Sequence, residues 1–173
     1  LTLRPAVPAD LAAVAAIYGH HVLHGVASFE IEPPDAAEIA RRFARIVAEG
    51  LPYLIAETDG TVIGYAYAAR YRERPAYRFT VEDSIYVAPG AGGRGIGRAL
   101  LAALVDRCAA LGYRRMIAVI GDSANVASIG LHARLGFRVA GVLPSVGFKH
   151  GRWVDSVLME RALGEGDLAP PAG

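Results

Sequence analysis

The chain has 173 residues, the length of one ordinary domain with a single layered core, which leaves no room for a second full domain. Its 53% of hydrophobic residues excludes a disordered chain, and its net charge of +1 argues against a nucleic-acid-binding protein. The single cysteine, Cys108, excludes an internal disulfide, and no Cys/His cluster has the spacing of a zinc site, so we expect no metal. Neither an apolar run of about 18 residues nor a signal-peptide pattern is present, so we expect no membrane partner and a cytoplasmic location.

The first part of the chain predicts one strand, two helices and a β-hairpin. Asp10 is placed as the N-cap of the first helix, and Asp35 with Glu38 forms a variant of the capping box before the second helix, which Gly50 ends. An Asp-Gly pair at 59–60 between two apolar runs predicts a tight hairpin turn. The elements are a strand at 1–4, helices at 11–23 and 36–49, and strands at 53–58 and 61–69.

The second part of the chain alternates strands with helices. Residues 116–120 are an uninterrupted apolar run, typical of a strand buried on both faces. No packing pattern follows Gly164, so we expect a domain at 1–163 and a flexible tail at 164–173. The elements are a strand at 77–88 with its buried end at 84–87, a helix at 95–111, the strand at 116–120, a helix at 126–135, and strands at 137–143 and 148–161 around a break at 145–147. This order predicts a mixed α/β sheet with helices on both faces.

The most informative segment is a glycine-rich loop, Gly90-Ala91-Gly92-Gly93-Arg94-Gly95-Ile96-Gly97-Arg98, between a predicted strand and a long predicted helix. Glycines let the backbone approach a ligand closely, and the first N–H groups of a helix have no partner within it. Together with the helix dipole, these groups suit an anion, most naturally a pyrophosphate. Arg94 and Arg98 can add charge-assisted hydrogen bonds to phosphate oxygens.

Two familiar nucleotide-binding loops do not fit this segment. A phosphate-binding P-loop ends in Gly-Lys-Ser/Thr, but Arg98 and Ala99 follow Gly97 here. A dinucleotide-binding fingerprint occurs in a first β-α-β unit with an acidic residue about 20 positions later, and Asp122 lies well beyond that offset. A nucleotide-dependent oxidoreductase is therefore disfavoured, and the density of glycines argues against a turn that only connects two elements.

The loop resembles the acyl-CoA loop of the GNAT acyltransferase superfamily, which follows a Gln/Arg-x-x-Gly-x-Gly/Ala pattern, although Gly92 stands in the Gln/Arg position. Three further stretches, at 28–33, 76–87 and 146–155, resemble the phosphinothricin and methionine sulfone or sulfoximine acetyltransferases of that superfamily. The resemblance extends from Leu3 to about Arg161. It implies the GNAT fold with a mixed, mostly antiparallel sheet, acetyl-CoA as co-substrate, a small amino-acid-like acceptor and a homodimer.

The resemblance also implies which residues bind the co-substrate. In that family, the strand before the loop bonds the pantetheine arm through its backbone, the loop amides bind the pyrophosphate, and an asparagine after the next strand contacts the cofactor. The corresponding residues are Ile85, Tyr86, Val87, Gly93, Arg94, Gly95, Ile96, Gly97, Arg98 and Asn125.

Acetyl transfer to an amine requires a group that removes a proton from the ammonium form. Glu82 is the first candidate, since it lies on the strand that carries 85–87. His132 stands where many members of the family have a tyrosine that protonates the leaving thiolate, and its ordinary pKa suits a base or an acid. The sequence leaves open which of the two takes the proton. Cys108 lies on the apolar stripe of its helix, so we expect direct attack in a ternary complex rather than an acyl-enzyme.

The acceptor site implied by the resemblance contains cations suited to a carboxylate, phosphinate or sulfone oxygen. Glu30 suits an ammonium group, and Lys149 is a candidate that would reach across a dimer. The implied residues are Phe29, Glu30, Arg72, Arg74, Tyr77 and Lys149. Alternatives are another small amine or a protein N-terminus as acceptor, and a non-catalytic acyl-CoA-binding module. The arginines disfavour polycationic acceptors because like charges repel.

Overall fold

The computed structural model describes residues 1–171 and folds them around one seven-stranded sheet. Its strands are β1 (Thr2–Pro5), β2 (Tyr53–Thr58), β3 (Thr61–Arg70), β4 (Thr80–Val87), β5 (Arg115–Gly121), β6 (Arg138–Lys149) and β7 (Arg152–Ala162). Its helices are α1 (Leu11–His24), α2 (Ala36–Ala48), α3 (Ile96–Ala110) and α4 (Val126–Arg134). The strand order is β1-β2-β3-β4-β5-β7-β6.

Neighbouring strands are antiparallel except β4 and β5, which are parallel. A parallel pair needs a crossover connection, and α3 supplies it on the chain between these two strands. The expected mixed, mostly antiparallel sheet is therefore confirmed, and it contains one parallel pair within residues 1–171.

Local sequence signals explain where several elements begin and end. The carboxylate of Asp35 accepts a hydrogen bond from the N–H of Glu38 at 2.7 Å, so the N-cap of α2 forms as predicted. Gly50 follows α2 with φ of +71°, a left-handed conformation that glycine adopts without a Cβ penalty. Asp59 and Gly60 both have positive φ, which is the backbone of the tight turn predicted between β2 and β3.

Asp10 does not cap α1 with its side chain, contrary to expectation. Its carboxylate instead binds the guanidinium of Arg4 at 2.7 Å and the N–H of Val7 at 2.8 Å. A short 3-10 turn, Pro8–Asp10, precedes α1, so the carboxylate satisfies the start of that turn and not the start of α1.

The helices cover both faces of the sheet, as expected. Tyr18 of α1 meets Tyr86 of β4 edge to face with ring centroids 5.0 Å apart, and Phe43 of α2 meets Tyr53 of β2 at 5.2 Å. On the other face, a Cβ added to Gly64 of β3 would lie 3.3 Å from side chains of α3. Alternation along the strands therefore separates an aromatic layer under α1 and α2 from an aliphatic layer under α3.

The strand at β4 is shorter than predicted. It begins at Thr80 rather than at 77, because Pro75–Tyr77 forms a 3-10 turn with proline at its first position. Its end at 84–87 is half-buried and not buried. β5 is also buried on one face only, since Val119 is 42% exposed between two buried neighbours. Both departures have one cause: the two strands border an open groove.

The last hairpin is longer than predicted. β6 continues through the expected break at 145–147, and the chain turns instead at His150 and Gly151, both with positive φ. The pairing with β7 shifts its register between Leu143 and Gly147, and Ser145 has φ of +52°. Residues 145–147 are thus part of a bulge inside β6, which bends the strand without ending its pairing with β7.

The segment after β7 contacts the domain as far as it is described. Leu163 is buried, and Arg114 donates a hydrogen bond to the carbonyl of Gly166 at 3.3 Å. Residues 172–173 of the predicted tail lie outside the described residues, so its flexibility stays a prediction. Within residues 1–171, no helix combines the length and the apolar character that crossing a membrane requires.

Candidate active site

A groove opens where β4 and β5 separate. The two strands pair with each other from Thr80 with Arg115 to Asp83 with Ala118. Beyond these residues β4 continues to Val87 and β5 to Gly121, but the two strands no longer pair with each other. A cavity of about 780 Å³ occupies this gap and is lined by both strands, the glycine-rich loop and α4. The divergence of one parallel pair therefore opens the cavity that the glycine-rich loop borders.

The backbone of β4 presents polar groups to the gap. The N–H of Ala88 donates to the carbonyl of Ile63 in β3, and the carbonyl of Thr80 accepts from the N–H of Tyr71, directly after β3. The even-numbered residues of the strand, Tyr86 included, therefore direct their backbone groups towards β3. Ile85 and Val87 alternate with them and direct theirs towards the gap. Tyr86 lines the groove as well, but its peptide groups pair with β3.

The carbonyl of Val87 has a partner within the chain. The Nε2 atom of His21, on α1, lies 2.8 Å from this oxygen, and since a carbonyl only accepts, the ring donates. The N–H and carbonyl of Ile85 and the N–H of Val87 remain as the groups that face the gap.

The glycine-rich loop leaves its amides unbonded. No hydrogen bond inside residues 1–171 uses the N–H groups from Gly92 to Arg98, and the first bond of α3 runs from Ala99 to the carbonyl of Gly95. Gly93 and Gly95 have φ of +76° and +80°, and a Cβ at either position would meet nothing within 4 Å. The loop is therefore an open set of donors at the positive end of the helix dipole, and its residues line the groove.

The side chains around the loop differ in their access to the groove. Arg98 lines it, whereas Arg94 is exposed and is not among its lining residues. Asn125 also lines it, but its Oδ1 accepts the N–H of Ser128 at 3.2 Å as the N-cap of α4. Arg134 of α4 is a further cation on the wall, which the sequence analysis did not single out.

Glu82 lines the groove on the aromatic face of the sheet. The register of β4 against β3 has no bulge, so Glu82, Ser84 and Tyr86 share one face as alternation predicts. Burial raises the pKa of Glu82, the neighbouring charge of Asp83 raises it further, and the charge of Arg72 lowers it by less. A half-buried carboxyl with a raised pKa is suited to accept a proton near neutral pH.

His132 lies on the other face and is engaged at both ring nitrogens. Its Nε2 lies 3.1 Å from the carboxylate of Asp83, and its Nδ1 lies 2.7 Å from the carbonyl of Ser128. Burial lowers the pKa of His132, but the hydrogen bond and charge of Asp83 outweigh burial, so the pKa lies above its ordinary value. Glu82 and His132 are therefore separated by the sheet.

The segment before α2 forms one wall of the groove through Phe29. The Phe29 ring packs on Gly147 of β6 so closely that a Cβ there would be 2.5 Å from it. A Cβ at Gly121 of β5 would lie 3.0 Å from the same ring and would overlap the carbonyl of Val26. The segment from Val26 to Phe29 therefore packs directly on two glycines of the sheet, Gly121 and Gly147, where a larger residue would collide with it.

Lys149 and Glu30 hold the same segment within one chain. The Lys149 side chain is buried and donates to the carbonyl of Ser28 at 2.7 Å, so it does not extend outward to reach across a dimer as expected. The carboxylate of Glu30 accepts hydrogen bonds from Arg42 at 2.6 and 3.1 Å and from the hydroxyl of Tyr18. Because Arg42 already neutralises this carboxylate, the assignment of Glu30 to a substrate ammonium is corrected.

The arginine-rich connection before β4 is exposed. Arg72 lies over the ring of Tyr71 at 5.1 Å, and Tyr77 meets the same ring edge to face at 5.7 Å. The charge of Arg72 lowers the pKa of Glu82, by less than burial and Asp83 raise it. Arg74 is the N-cap residue of the 3-10 turn at Pro75–Tyr77. None of the predicted acceptor residues Arg72, Arg74 and Tyr77 is among the lining residues of the groove.

Comparison with known proteins decides the family. The model of the acetyltransferase (GNAT) family matches residues 17–137. The chain belongs to this family. Among its relatives, the acetyltransferase is 56% identical to phosphinothricin N-acetyltransferase of Alcaligenes faecalis over 98% of this chain and 86% of that protein. It is 41% identical to L-methionine sulfoximine/L-methionine sulfone acetyltransferase of Salmonella typhimurium over 99% of both chains.

A solved structure agrees with these relatives. The acetyltransferase superposes on a GNAT superfamily phosphinothricin acetyltransferase from Sinorhizobium meliloti, solved in complex with acetyl-CoA, with a TM-score of 0.96 and 55% identity. The match covers 99% of this chain and 92% of that one. The expected superfamily and fold are thereby confirmed.

The sequence analysis of this acetyltransferase missed Asp83, which is the partner of His132. Its only local signal is its position beside Glu82, and nothing in the sequence indicates a contact with a residue 49 positions away. Among the described residues, the acetyltransferase has no group of three or more His, Cys, Asp or Glu side chains arranged to hold a metal ion.

Proposed function

We propose that the chain is a cytoplasmic, acetyl-CoA-dependent N-acetyltransferase that acts on the amino group of a small amino acid or analogue of the phosphinothricin or methionine sulfone type. The observation that carries the proposal is the set of unbonded N–H groups from Gly92 to Arg98 at one end of a groove whose wall includes Glu82. The names of the relatives, and acetyl-CoA in the S. meliloti structure, support the same activity.

The residues of the groove fit acetyl-CoA. The amides at 92–98 suit its pyrophosphate, Arg98 and Arg134 supply positive charge, and the backbone groups of Ile85 and Val87 suit the amides of its pantetheine arm. When bound, acetyl-CoA supplies an acyl thioester that an amine can attack. Gly92, at the position where the family pattern has Gln or Arg, contributes only backbone, so the two arginines carry the charge.

Glu82 has the properties of the general base. An ammonium group has no free electron pair, so a proton must leave before the nitrogen attacks. The pKa of Glu82 is raised, so it lies closer to neutral pH than the pKa of an ordinary glutamate. Its carboxylate is therefore a better proton acceptor. Because Glu82 and the gap-facing groups of Ile85 and Val87 belong to one strand, the base and the donor site are held in fixed relation.

The acceptor carboxylate has candidate partners beside this base. Arg72 is exposed and close enough to Glu82 to affect its pKa, and Tyr77 lies in the same cluster around Tyr71. A guanidinium suits a carboxylate, phosphinate or sulfone oxygen, and its charge repels a polycationic acceptor. This cluster favours amino-acid-like acceptors over polyamines.

The experiment measures thiol release from acetyl-CoA with phosphinothricin, methionine sulfone, methionine sulfoximine and a polyamine as acceptors. We expect turnover of the amino-acid analogues and little with the polyamine. Glu82→Gln should lower kcat by about 100-fold to 10,000-fold, the range of general-base catalysis, while the exposed Glu165→Gln control keeps full activity. Binding of acetyl-CoA without turnover of any amine would instead support a non-catalytic acyl-CoA-binding module.

We also propose that the enzyme is a homodimer. Within residues 1–171, β6 is the last strand of the sheet and no strand pairs with its outer edge, and large apolar side chains are exposed on it and on β7. They are Val142, Leu143, Val146, Phe148 and Trp153. An exposed apolar patch of this kind is typical of a protein interface. In sedimentation experiments we expect a dimer for the wild type and for Val47→Asp, an exposed valine of α2, and a monomer for Phe148→Asp.

A further inference from the structure

Two side chains on the wall of the groove have no part in the proposed acetyl-CoA site or in the general-base step. Val119 of β5 and Ser156 of β7 both line the groove. Val119 is 42% exposed between two buried neighbours, whereas Ser156 is 5% exposed. Neither side chain carries a charge, so each can contribute only contact or hydrogen bonding to a ligand.

The pairing of the strands places both side chains on the same face of the sheet as Glu82. Glu82 pairs with Ile117 of β5, and Val119 and Gly121 follow on that face because side chains alternate along a strand. Gly121 in turn pairs with Ser156 of β7. At a rise of about 3.3 Å per residue, Val119 lies about 7 Å along β5 from Ile117, and Gly121 about 13 Å. These residues therefore form one row that begins beside the proposed base.

The Phe29 ring covers the far end of this row. A Cβ added to Gly121 would lie 3.0 Å from the ring, so the ring packs on the same face of the sheet. Phe29 is partly exposed and lines the groove as well. The space that begins at Glu82 is thus bounded by two partly exposed apolar side chains, Val119 and Phe29, and by Ser156.

The hydroxyl of Ser156 is available to a ligand. No side-chain hydrogen bond within residues 1–171 uses it, and it is not a fully buried atom without a partner, as Oδ1 of Asp83 is. The hydroxyl therefore has access to the groove that its residue lines. Because a hydroxyl can donate, it can bind an oxygen that carries no hydrogen of its own.

The row has no lysine or arginine beside it. Within residues 1–171, the lysines and arginines that line the groove are Arg98 and Arg134, which suit the phosphates of acetyl-CoA. The ammonium of Lys149 donates to the carbonyl of Ser28 and is not among the lining residues. An anion placed here would lose its hydration without gaining a partner of opposite charge, whereas a neutral oxygen needs only one hydrogen bond.

We propose that Val119 and Ser156 form the subsite for the side chain of the acceptor amino acid and determine its specificity. Val119 and the Phe29 ring pack against the methylene groups, and the Ser156 hydroxyl donates a hydrogen bond to an oxygen carried further along that side chain. Because the subsite is uncharged, it takes a neutral sulfone or sulfoximine in preference to an anionic phosphinate. The inference rests on the proposed acetyltransferase activity and names the class of acceptor that the same site prefers.

The first test compares acceptors that differ only at the end of the side chain. Methionine lacks the oxygens that methionine sulfone carries on sulfur, and phosphinothricin has an anionic phosphinate in their place. For the wild type we expect kcat/KM for methionine sulfone to exceed the values for methionine and phosphinothricin by about tenfold or more. An equal or higher value for either of these two acceptors would overturn the proposal.

The second test removes the hydroxyl. Ser156→Ala should lower kcat/KM for methionine sulfone by about threefold to tenfold and leave the value for methionine within about twofold, since methionine offers no oxygen to the hydroxyl. KM for acetyl-CoA should stay unchanged. Ser123→Ala, an exposed serine outside the groove lining, is the matched control and should change none of these values. Equal losses for the two acceptors in Ser156→Ala would assign the serine a packing role and contradict the proposal.

The third test shortens the apolar side chain. Val119→Ala should lower kcat/KM for methionine sulfone and for methionine alike, by about threefold to tenfold, because both acceptors carry the methylene groups that Val119 contacts. The exposed Val47→Ala on α2 should leave both values in place. Unchanged values in Val119→Ala would show that the acceptor side chain lies elsewhere.

Binding measurements separate a failure of the subsite from a failure of the proposed function. If the wild type acetylates no amine, the proposed function fails. Calorimetry with coenzyme A present then compares the affinities for methionine sulfone and methionine without turnover. A preference for the sulfone that Ser156→Ala abolishes would support the subsite, whereas no preference, or no binding of either acceptor, would overturn it.

Discussion

Glu82 and Asp83 are adjacent carboxylates whose surroundings differ because β4 alternates its side chains between the two faces of the sheet. Glu82 faces the aromatic side, within reach of the charge of Arg72, and Asp83 faces α4 and binds His132. The charge of Asp83 also raises the pKa of Glu82, after burial, which is the larger cause. At the scale of single residues, one peptide bond thus separates two different acid–base environments.

The pH dependence of turnover follows from the pKa of Glu82. The base works as a carboxylate, so kcat/KM should rise with pH through a pKa above the ordinary value of about 4.3. Arg72→Gln removes a charge that lowers this pKa, so the acid limb should move to higher pH. The pH profile of kcat/KM for acetyl-CoA measures the limb, and Arg41→Gln, on the exposed side of α2, should leave it in place. An acid limb that moves to lower pH in Arg72→Gln would contradict the assignment.

The start of α3 depends on backbone conformations that residues other than glycine adopt at a cost. Gly95 is the N-cap of α3 with φ of +80°, and Gly112 after its C-terminus has φ of +86°. A Cβ at either residue would have open space within 4 Å, so the cost of a substitution comes from the backbone alone. At the scale of the element, the two ends of one helix provide a matched pair of strained sites.

Alanine at these two glycines should separate stability from binding. Each substitution should destabilise the fold by about 1–2 kcal/mol, the penalty of a left-handed conformation. Gly95→Ala should in addition raise KM for acetyl-CoA by about threefold to tenfold because it moves the loop amides, while Gly112→Ala leaves KM unchanged. Thermal unfolding and steady-state kinetics measure the two effects. An equal KM in both variants would show that the loop does not bind the co-substrate.

The Phe29 ring packs on Gly147 of β6, a contact between residues distant in the chain. Gly147→Ala places a Cβ 2.5 Å from the Phe29 ring and should destabilise the protein by about 1–3 kcal/mol through overpacking. Phe29→Ala removes the obstructing ring, so in the double variant most of the cost of Gly147→Ala should disappear. Urea unfolding of the wild type, the two single variants and the double variant measures the coupling energy. Strictly additive losses in the free energy of unfolding would contradict the contact.

Three strands at one side of the sheet are tied together by one carboxylate. Glu160 of β7 is nearly buried and accepts hydrogen bonds from Arg115 of β5 and Arg138 of β6. Burial raises the pKa of Glu160, but the hydrogen bonds from Arg138 and Arg115 lower it by more, so the pKa lies below its ordinary value. At the scale of the whole molecule, this cluster links β5, which lines the groove, to β7 and β6.

The stability of the molecule should therefore depend on the ionisation of Glu160. A lowered folded-state pKa stabilises the fold above the ordinary pKa of about 4.3 and loses that contribution as the pH falls through the lower, folded value. Glu160→Gln should reduce the free energy of unfolding by about 1–3 kcal/mol at neutral pH and flatten its decrease in acid. Urea midpoints at several pH values measure both, with the exposed Glu32→Gln as control. Identical acid dependence in the wild type and Glu160→Gln would contradict this role.

The sequence by itself determined the features that depend on a few consecutive residues. The cap at Asp35, the hairpin turn at Asp59 and Gly60, and the strand, glycine loop and helix around Gly95 were all predictable, because each is governed by local backbone preference and hydrogen bonding. The alternation that places Glu82, Ser84 and Tyr86 on one face was predictable for the same reason. Element boundaries shifted at 77–80 and 143–149, where a 3-10 turn and a bulge replaced a strand end and a break.

Only the tertiary structure decided the partners of the polar side chains. It placed His132 against Asp83, Lys149 against the carbonyl of Ser28, and Arg42 against Glu30. The partners in these contacts are 49, 121 and 12 positions apart in the chain. It also decided where β4 and β5 stop pairing, and hence where the groove opens. The physical reason is that a buried charge takes whichever partner packing brings to it, and neither residue type nor spacing encodes that choice.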